Sequence, residues 1–283
     1  MENSITFTVF QWNTLCNILA DKKSFPYVDE KYLEWAYREP LIKKIINENK
    51  CDIICLEEVG NFEDRFKNEI LDKCEIKYDL IFERRVNKIM GNVIGVNKEL
   101  FEIEKYDNIF LDQDNEGKEK KINIISAFIK EKKTKNIFVI IVIHLKAKEQ
   151  FEEIRKYQMR HLMKYIEENI LGKFPFLILG DFNAEPTYEC VLNLIKNKKI
   201  KIKSVFEFSK IEMTTIKLRD KLYKRIIDYI FYCGKNNENT EKEIEIISKE
   251  IANVEIDKKI GLPNKTFPSD HLFLKAKVKL SFI

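Results

Sequence analysis

Glycine and proline are scarce in this chain of 283 residues, with 8 and 6 copies respectively. The sequence contains no GxGxxG fingerprint, no glycine-rich loop that ends in Lys followed by Ser or Thr, and no GxSxG elbow. These gaps argue against dinucleotide binding of the Rossmann type, against a P-loop nucleotide site and against serine hydrolysis from a nucleophile elbow.

Long apolar stretches and paired cysteines are also missing. The longest apolar run, Ile137 to Ile143, is far shorter than the roughly 20 residues that a membrane helix needs. Six cysteines in a chain of this length, without a second Cys or His pair at zinc spacing, indicate reduced thiols. The N-terminus lacks the parts of a signal peptide. We therefore expect a cytoplasmic protein without a membrane partner, and leave the nucleus and mitochondrion open.

Charge of one sign is not in excess, because 50 Lys and Arg face 46 Asp and Glu and the net charge is +4. Charge alone therefore indicates no nucleic-acid partner. Charged residues make up 34% of the chain and hydrophobic residues 45%, which is typical of a folded protein with a heavily charged surface.

Short apolar runs alternate with helical patterns along the whole chain, and no linker rich in Pro, Gly or Ser divides them. We expect one catalytic domain over residues 1–283, with helices at Glu34–Asn49 and Phe151–Asn169. Several strands are apolar at every position, which predicts sheets covered by helices. The predicted strands are Thr6–Gln11, Ile53–Leu56, Leu80–Phe82, Asn92–Val96, Lys121–Ile129, Ile137–His144, Phe176–Leu179, Ile226–Tyr232 and Leu272–Val278.

Polar residues of the kind that bind metals or phosphates follow four of these strands. They are Asn13, Glu58, His144, Asp181 and Asn183. Strand ends in α/β folds converge on one crevice, so these side chains are expected to meet. Asp181 and Asn183 would point to the same side if the chain stays extended.

Three further polar residues extend the set. The period of a strand places Asp228 on one face with Ile226 and Ile230, where a carboxylate must be paired or bound to a cation. Asp270 and His271 precede the last strand. Carboxylates with Asn and His, and without Cys, are ligands for a hard cation, so we expect Mg²⁺, with Mn²⁺ as the alternative.

Each residue also has a purely structural interpretation. Asn13 could cap a turn, His144 could be a satisfied core histidine, and the GDFN segment could form an Asx turn. Their coincidence at strand ends favours a shared metal-dependent site.

The same residues lie in segments that resemble the endonuclease/exonuclease/phosphatase superfamily. Its signatures occur in order as QWNTLCN, CLEEV, VIHLKAK, ILGDFNAEPT, IIDYIFY and FPSDHL. Within it, the strings HLKA, TTIKLR and LPNKTFPSDHL resemble the carbon-catabolite-repression type deadenylases and most of all their nocturnin-like branch. The resemblance implies a four-layer α/β sandwich in which two mixed sheets pack face to face with helices outside.

The resemblance also implies a role for each residue at the strand ends. Glu58 would bind Mg²⁺, with Asn13 beside it and Asp270 near the metal. The implied catalytic set comprises Asp181 as the group that orients or deprotonates water, Asn183 and His144 as phosphate contacts, and Asp228 as the partner that aligns His271 on the phosphate. Phosphodiester hydrolysis requires a nucleophilic water, in-line geometry and neutralisation of the growing negative charge. The implied set contains candidate residues for each of these three requirements.

Substrate recognition is implied for four cations, namely Lys146, Lys217, Arg219 and Arg85. The family points to adenine-containing nucleotides, either poly(A) RNA shortened from its 3′ end or NADP(H) losing its 2′-phosphate. Lysine is so frequent here that Lys146 and Lys217 could equally be surface residues. No leucine-rich-repeat docking module is found, so we expect a stand-alone monomer.

The chain departs from the family pattern in two places. Met90-Gly91 replaces the usual Asp-Gly, which predicts a different rim of the substrate pocket. Glu57 replaces the usual Gln before the metal-binding glutamate, and the sequence leaves open whether it faces the metal. The alternative functions are an abasic-site endonuclease, a lipid phosphodiesterase and a non-catalytic RNA-binding module.

Overall fold

The computed structural model describes residues 4–111, 122–235, 238 and 240–282. The strands in chain order are β1 (Ser4–Asn13), β2 (Ile53–Gly60), β3 (Tyr78–Arg84), β4 (Met90–Asn97), β5 (Phe101–Phe110), β6 (Asn123–Glu131), β7 (Ile137–His144), β8 (Phe176–Asp181), β9 (Lys203–Ser204), β10 (Thr215–Leu218), β11 (Leu222–Arg225), β12 (Asp228–Cys233), β13 (Ile244–Ile251) and β14 (Leu274–Ser281).

Helices connect many of these strands. They are α1 (Glu30–Leu33), α2 (Trp35–Asn49), α3 (Glu152–Asn169), α4 (Glu189–Ile195), α5 (Thr240–Glu243), the π-helix Phe62–Ile70 and the 3₁₀ turns Asn17–Leu19, Leu71–Lys73, Glu149–Phe151 and Phe208–Lys210. None of the described helices is both long and apolar enough to cross a membrane.

Two six-stranded sheets carry the fold. The first has the order β13-β14-β1-β2-β4-β3 and the second β5-β6-β7-β8-β12-β9, while β10 and β11 form a separate hairpin. Within each described six-stranded sheet one central pair is parallel, β1–β2 in the first and β7–β8 in the second, and the other pairs are antiparallel. Both sheets are therefore mixed, as expected.

Apolar residues from the two sheets form a shared core between them, which includes Phe7, Ile94, Phe138 and Leu179. A second core lies between the second sheet and helices α3 and α4, and a third lies between the first sheet, α2 and the π-helix. The order of layers is helix, sheet, sheet, helix. The expected four-layer α/β sandwich is confirmed.

The strands that were apolar at every position are buried on both faces because they lie in the middle of these layers. Every residue of β7 after Ile137 is buried. The nine predicted strands and both predicted helices are present, except that residue 121 lies outside the described residues and the strand expected from Ile226 begins at Asp228. The sequence also predicts exposed loops at Gln113–Lys120, which lies outside the described residues, and at Gly234–Thr240, which lies partly outside them, because both segments are polar and lack periodicity.

The strands that were not predicted are β5, β9, β10, β11 and β13. β5, β9 and β13 are edge strands, of which β5 and β13 carry exposed, charged residues, and the β10–β11 hairpin is partly exposed. Edge strands bury little apolar surface, so they lack the apolar run on which the other strands were predicted.

The carboxyl ends of the two parallel pairs lie at the same end of the sandwich. In the first sheet Asn13 is opposite Glu57, and in the second His144 is opposite Asp181. Because strands β1 and β2 pack against β7 and β8 across the shared core, these ends face one another.

The approach of β8 to β7 depends on Gly180. Its φ is +146°, and a Cβ built on it would lie 1.9 Å from the carbonyl oxygen of Ile143. Only glycine fits this position, which directly precedes Asp181.

We expect Gly180→Ala to lower the stability strongly, by more than about 2 kcal/mol, because backbone must move to admit the methyl group. Gly172→Ala is the matched control, since Gly172 has φ +75° but an added methyl group there would meet nothing within 4 Å. That change should cost only about 1 kcal/mol of backbone strain. Urea unfolding of both variants compares the two costs, and equal losses would contradict the steric explanation.

Candidate active site

Four of the polar strand ends meet in one cluster. The Asn13 side chain donates from Nδ2 to Oδ2 of Asp181 at 3.1 Å, which links the two sheets. His144 Nε2 lies 3.6 Å from Asp181 Oδ2 and 3.9 Å from Glu58 Oε1. The predicted convergence of these side chains is therefore observed.

The GDFN segment reaches the cluster through a turn and not through extended chain. Asn183 has φ +49°, and its backbone N–H donates to Asp181 Oδ1 at 2.7 Å. The chain does not stay extended after β8, because this hydrogen bond forms the Asx turn that the sequence offered as an alternative for the GDFN segment. The Asn183 side chain donates to the carbonyl of Leu145 at 3.2 Å, so it lies beside the segment that follows β7.

Asp228 and His271 form a buried ion pair. Nδ1 of His271 lies 3.1 Å from each carboxylate oxygen of Asp228. Asp228 also accepts hydrogen bonds from the Thr214 hydroxyl at 2.7 Å and from Gln11 Nε2 at 3.3 Å. The expectation that a carboxylate here must be paired is confirmed, although Ile226, which precedes the strand, packs on the helical side of the sheet.

Asp270 and Glu58 carry the oxygen atoms that best fit a hard cation. Asp270 Oδ1 is buried without a hydrogen-bond partner among the described residues, while Oδ2 lies 3.3 Å from Lys217 Nζ. Glu58 accepts from the backbone N–H of Cys16 at 3.1 Å and stays 13% exposed. A buried carboxylate oxygen without a donor is costly unless a cation binds it, so the residues fit the implied metal.

A second group of possible ligands consists of Asp181, Asp228 and His271, whose ligand atoms lie within 4.8 Å of one another. Nδ1 of His271 is bound to Asp228, so Nε2 is the ring nitrogen that this histidine can offer to a metal or to a phosphate. The geometry of this group is therefore compatible with either ligand.

The electrostatic environment shifts the pKa values of the two histidines in opposite directions. Burial lowers the pKa of His144 well below its ordinary value, and the charges of Arg85 and His271 lower it further, so this ring is neutral. Burial alone would also lower the pKa of His271, but the carboxylates of Asp228, Asp270 and Asp181 together raise it well above the ordinary value. One neutral and one charged imidazole thus flank the same carboxylate.

That carboxylate is Asp181. Burial raises its pKa to about 7, with a further contribution from Asp228, while His271 opposes the shift. A carboxyl group with a pKa near neutral pH is suited to accept a proton during catalysis.

Glu57 faces the space between the sheets beside this cluster. Its Oε2 accepts from Gln11 Nε2 at 2.8 Å, and its Oε1 is buried without a partner among the described residues. Burial and the nearby charge of Asp228 raise the pKa of Glu57 well above its ordinary value. Glu58 points elsewhere because a bulge between Leu56 and Val59 and a φ of +55° at Glu58 interrupt the strand alternation.

The four candidate substrate cations are placed differently. Arg85 donates to the carbonyl of His144, and Lys217 pairs with Asp270, so both border the cluster. Lys146 follows His144 by two residues, and its ammonium lies 4.7 Å from the centre of the Phe151 ring. Arg219 is exposed in the hairpin turn, four residues along the chain from Thr215 and therefore about 13 Å from it at the rise of a strand.

A cleft of about 30 Å³ opens beside Glu58. Ile18 and Ile89, which are 50% and 45% exposed, line it together with Arg65. Ile89 directly precedes the Met90-Gly91 departure, so the residue before that departure lines this cleft.

Sequence reasoning missed the residues that hold the predicted ones in place. They are Gln11, Thr214, Ser269 and Arg38, whose polar groups bond to the site segments. Gln11, Thr214 and Ser269 were visible only as members of the strings QWNTLCN, TTIKLR and FPSDHL. Arg38 gave no signal, because its partners lie more than 20 residues away in the chain.

Comparison with known proteins agrees with this geometry. The pattern of the Endonuclease/Exonuclease/phosphatase family matches residues 10–271. Over 98% of its length the chain is 26% identical to the probable CCR4-Not complex 3′-5′-exoribonuclease subunit Ccr4 of Vairimorpha ceranae, and over 94% it is 30% identical to Nocturnin of Homo sapiens. It spans only 65% and 63% of the lengths of these two relatives.

Solved structures share the fold. ANGEL2, described as a 2′,3′-cyclic phosphatase in complex with adenosine-2′,3′-vanadate, superposes with a TM-score of 0.82 at 19% identity, covering 99% of this chain and 97% of that one. The human Nocturnin catalytic domain with bound sulfate superposes with a TM-score of 0.75 at 23% identity, covering 98% and 96%.

We expect Glu57→Gln to retain the fold and to be more stable than the wild type, by a margin that grows with pH. Above the ordinary pKa of 4.5 the unfolded carboxyl group ionises while the folded one keeps its proton, so rising pH favours the unfolded wild type. The margin should grow by up to about 1.4 kcal/mol per pH unit. Urea unfolding in EDTA at pH 5.5 and pH 8 measures it.

Glu131→Gln provides a control of opposite sign. Although burial opposes it, hydrogen bonds from Thr134 and Lys133 lower the pKa of Glu131. This variant should be less stable than the wild type at pH 8, and the deficit should shrink as the pH falls toward 4. A Glu57→Gln margin that is equal at both pH values would contradict a neutral Glu57.

Proposed function

The chain belongs to the endonuclease/exonuclease/phosphatase family, and on that premise we propose that it is a Mg²⁺-dependent phosphoesterase acting on adenine-containing nucleotides. The reaction is either removal of 3′-terminal adenylates from RNA or hydrolysis of the 2′-phosphate of NADP(H). One observation carries the proposal. Asp181, with a pKa of about 7, lies between a neutral and a charged histidine and next to carboxylates that fit a hard cation.

Asp181 is the proposed general base. Its Oδ2 lies within reach of Asn13 and His144, and its Oδ1 accepts from the backbone of Asn183, so the carboxylate is held in one orientation. In that position it orients a water molecule and accepts its proton as the water attacks phosphorus.

Asn183 and the two histidines are the proposed phosphate contacts. His271 keeps its positive charge because Asp228 binds Nδ1, which leaves Nε2 to donate to a phosphate oxygen. His144 is neutral and donates a hydrogen bond without adding charge. Together these donors stabilise the negative charge that grows on the phosphoryl group.

Glu58 and Asp270 are the proposed metal ligands, with Asn13 beside them. A Mg²⁺ ion held there would act as a Lewis acid and neutralise charge on the phosphate oxygens. Mg²⁺ commonly takes only one or two protein carboxylates, which suits this small set and leaves Asp181 for the water. Mn²⁺ is the alternative ion.

Substrate choice follows from the relatives and from the cations at the cluster. The curated relatives are named as a 3′-5′-exoribonuclease subunit and as Nocturnin, and ANGEL2 is titled a 2′,3′-cyclic phosphatase bound to an adenosine compound. Arg85 and Lys217 border the cluster and Lys146 follows His144 by two residues, so these cations are proposed to supply positive charge for substrate phosphates. We propose that the chain acts as a monomeric single catalytic domain in the cytoplasm, where its six buried cysteines stay reduced as thiols.

The experiment that tests this function offers the purified protein NADPH, 3′-end-labelled oligo(A) and oligo(A) ending in a 2′,3′-cyclic phosphate, each with Mg²⁺ and with EDTA. Phosphate release from NADPH alone indicates a dinucleotide phosphatase, and shortening of oligo(A) alone indicates a deadenylase. Abasic duplex DNA and sphingomyelin test the alternative reactions. Cleavage that persists in EDTA would overturn the metal-dependent proposal.

We expect Asp181→Asn to lose turnover by about 10²-fold or more while KM for the preferred substrate stays within about twofold. The amide keeps the shape of the carboxylate but cannot accept the proton from water. Asp64→Asn is the control, because Asp64 is exposed on the π-helix. Normal turnover of Asp181→Asn in steady-state assays would rule out Asp181 as the base.

Lys146→Ala and Arg219→Ala should each raise KM while kcat is largely retained, because both cations are proposed to contact phosphates away from the reacting bond. We expect a rise of about tenfold for Lys146 and a smaller one for exposed Arg219, where solvent screens the charge. Lys277→Ala, an exposed change on β14, is the control. An unchanged KM for every substrate would remove the tested residue from the binding surface.

A further inference from the structure

Arg38 is a fully buried arginine on helix α2, with 0% of its surface exposed. It donates from Nε to the carbonyl of Pro268 at 2.7 Å, from Nη2 to the carbonyl of Thr14 at 2.7 Å, and from Nη2 to the carbonyl of Leu15. No carboxylate within the described ranges lies within ion-pair distance of its guanidinium. Burying an arginine this way is costly, so its contacts need an explanation.

The carbonyls that Arg38 holds belong to two segments remote in sequence. Thr14 and Leu15 follow Asn13 at the end of β1, and Pro268 precedes Asp270 by two residues. Helix α2 itself is fixed in the core by the buried Ile42 and Ile46. The guanidinium therefore connects a rigid outer helix with both backbone segments that border the proposed metal site.

Further hydrogen bonds connect the segments held by Arg38 to the proposed metal ligands. The Ser269 hydroxyl donates to the carbonyl of Asn13 at 2.7 Å, which ties the two segments to each other. The backbone N–H of Cys16, next to Leu15, donates to Glu58 Oε2 at 3.1 Å. Leu15 has φ +57°, an unfavourable conformation for leucine that its neighbours must maintain.

We propose that Arg38 is a positioning residue that sets the spacing of Glu58 and Asp270, and thereby the preference of this site for Mg²⁺ over a larger cation. The inference rests on the proposed metal-dependent function. Its physical basis is the rigidity of the guanidinium fork, which fixes three carbonyls at once, whereas an ammonium group is a single flexible point donor. Mg²⁺ requires near-ideal octahedral geometry, while Ca²⁺ tolerates irregular and longer ligand distances.

Arg155 on helix α3 offers a matched control. It is also 0% exposed, and it donates to the carbonyls of Lys146, Lys148 and Glu149 at 2.9, 2.7 and 3.3 Å. The segment it holds follows β7 in the other sheet and carries the proposed phosphate contact Lys146. Replacement of Arg155 thus repeats the loss of a buried guanidinium without touching the metal side.

Isothermal titration calorimetry with Mg²⁺ and with Ca²⁺ on the wild type, Arg38→Lys and Arg155→Lys tests the inference, alongside the Tm of each protein. Arg38→Lys keeps the charge, and we expect its Mg²⁺ affinity to fall by about tenfold or more while its Ca²⁺ affinity changes by less than about threefold. Arg155→Lys should lower Tm comparably but leave the ratio of the two affinities unchanged.

Equal weakening of both cations in Arg38→Lys, unchanged Mg²⁺ binding, or the same ratio change in Arg155→Lys would overturn the inference. A wild type that binds neither cation would instead refute the proposed metal-dependent function. Should Arg38→Lys not fold, Ser269→Ala removes the other link between the same two segments, and it must shift the Mg²⁺ to Ca²⁺ ratio in the same direction for the inference to stand.

Discussion

The concentration of buried carboxyl groups at one end of the sandwich is the constraint on which the rest of the site depends. Glu57, Asp181, Asp228 and Asp270 are each 6% exposed or less, and like charges at such short range cannot all be ionised without compensation. Asp228 is compensated by the imidazolium of His271, Asp270 by Lys217, and Glu57 by keeping its proton. Asp181 is left near the point of titration, which is the property that a general base needs.

The topology explains why these groups meet at all. Each sheet contributes the carboxyl ends of its parallel pair, and the antiparallel partners β12 and β14 then bring Asp228 and His271 alongside. The polar residues occupy the last positions of strands whose preceding residues are apolar and buried. The hydrophobic core therefore fixes the positions of the strand ends, and these positions determine which polar side chains meet in the site.

The buried strands and the residues at their ends could be predicted, because an apolar run that ends at a polar residue can be read directly from the sequence. The sequence did not predict β5 and β13, whose exposed edges carry no such run. The direction in which the Glu57 side chain points could not be predicted either. The bulge beside it interrupts the alternation of side chains between the two faces of the strand, on which such a prediction relies. Arg38 contacts residues at sequence separations of 23 to 230, which a local pattern cannot show.

The division of the site between two sheets has a consequence for the chain while it folds. Neither sheet alone brings Asn13 to Asp181 or Gln11 to Asp228, so a folding intermediate with one sheet formed lacks the hydrogen bonds that join the two halves of the site. The two halves of the site come together only when the sheets dock, and the apolar surface buried in the shared core then offsets the mutual repulsion of the acids. An intact site therefore reports that the two sheets have docked completely.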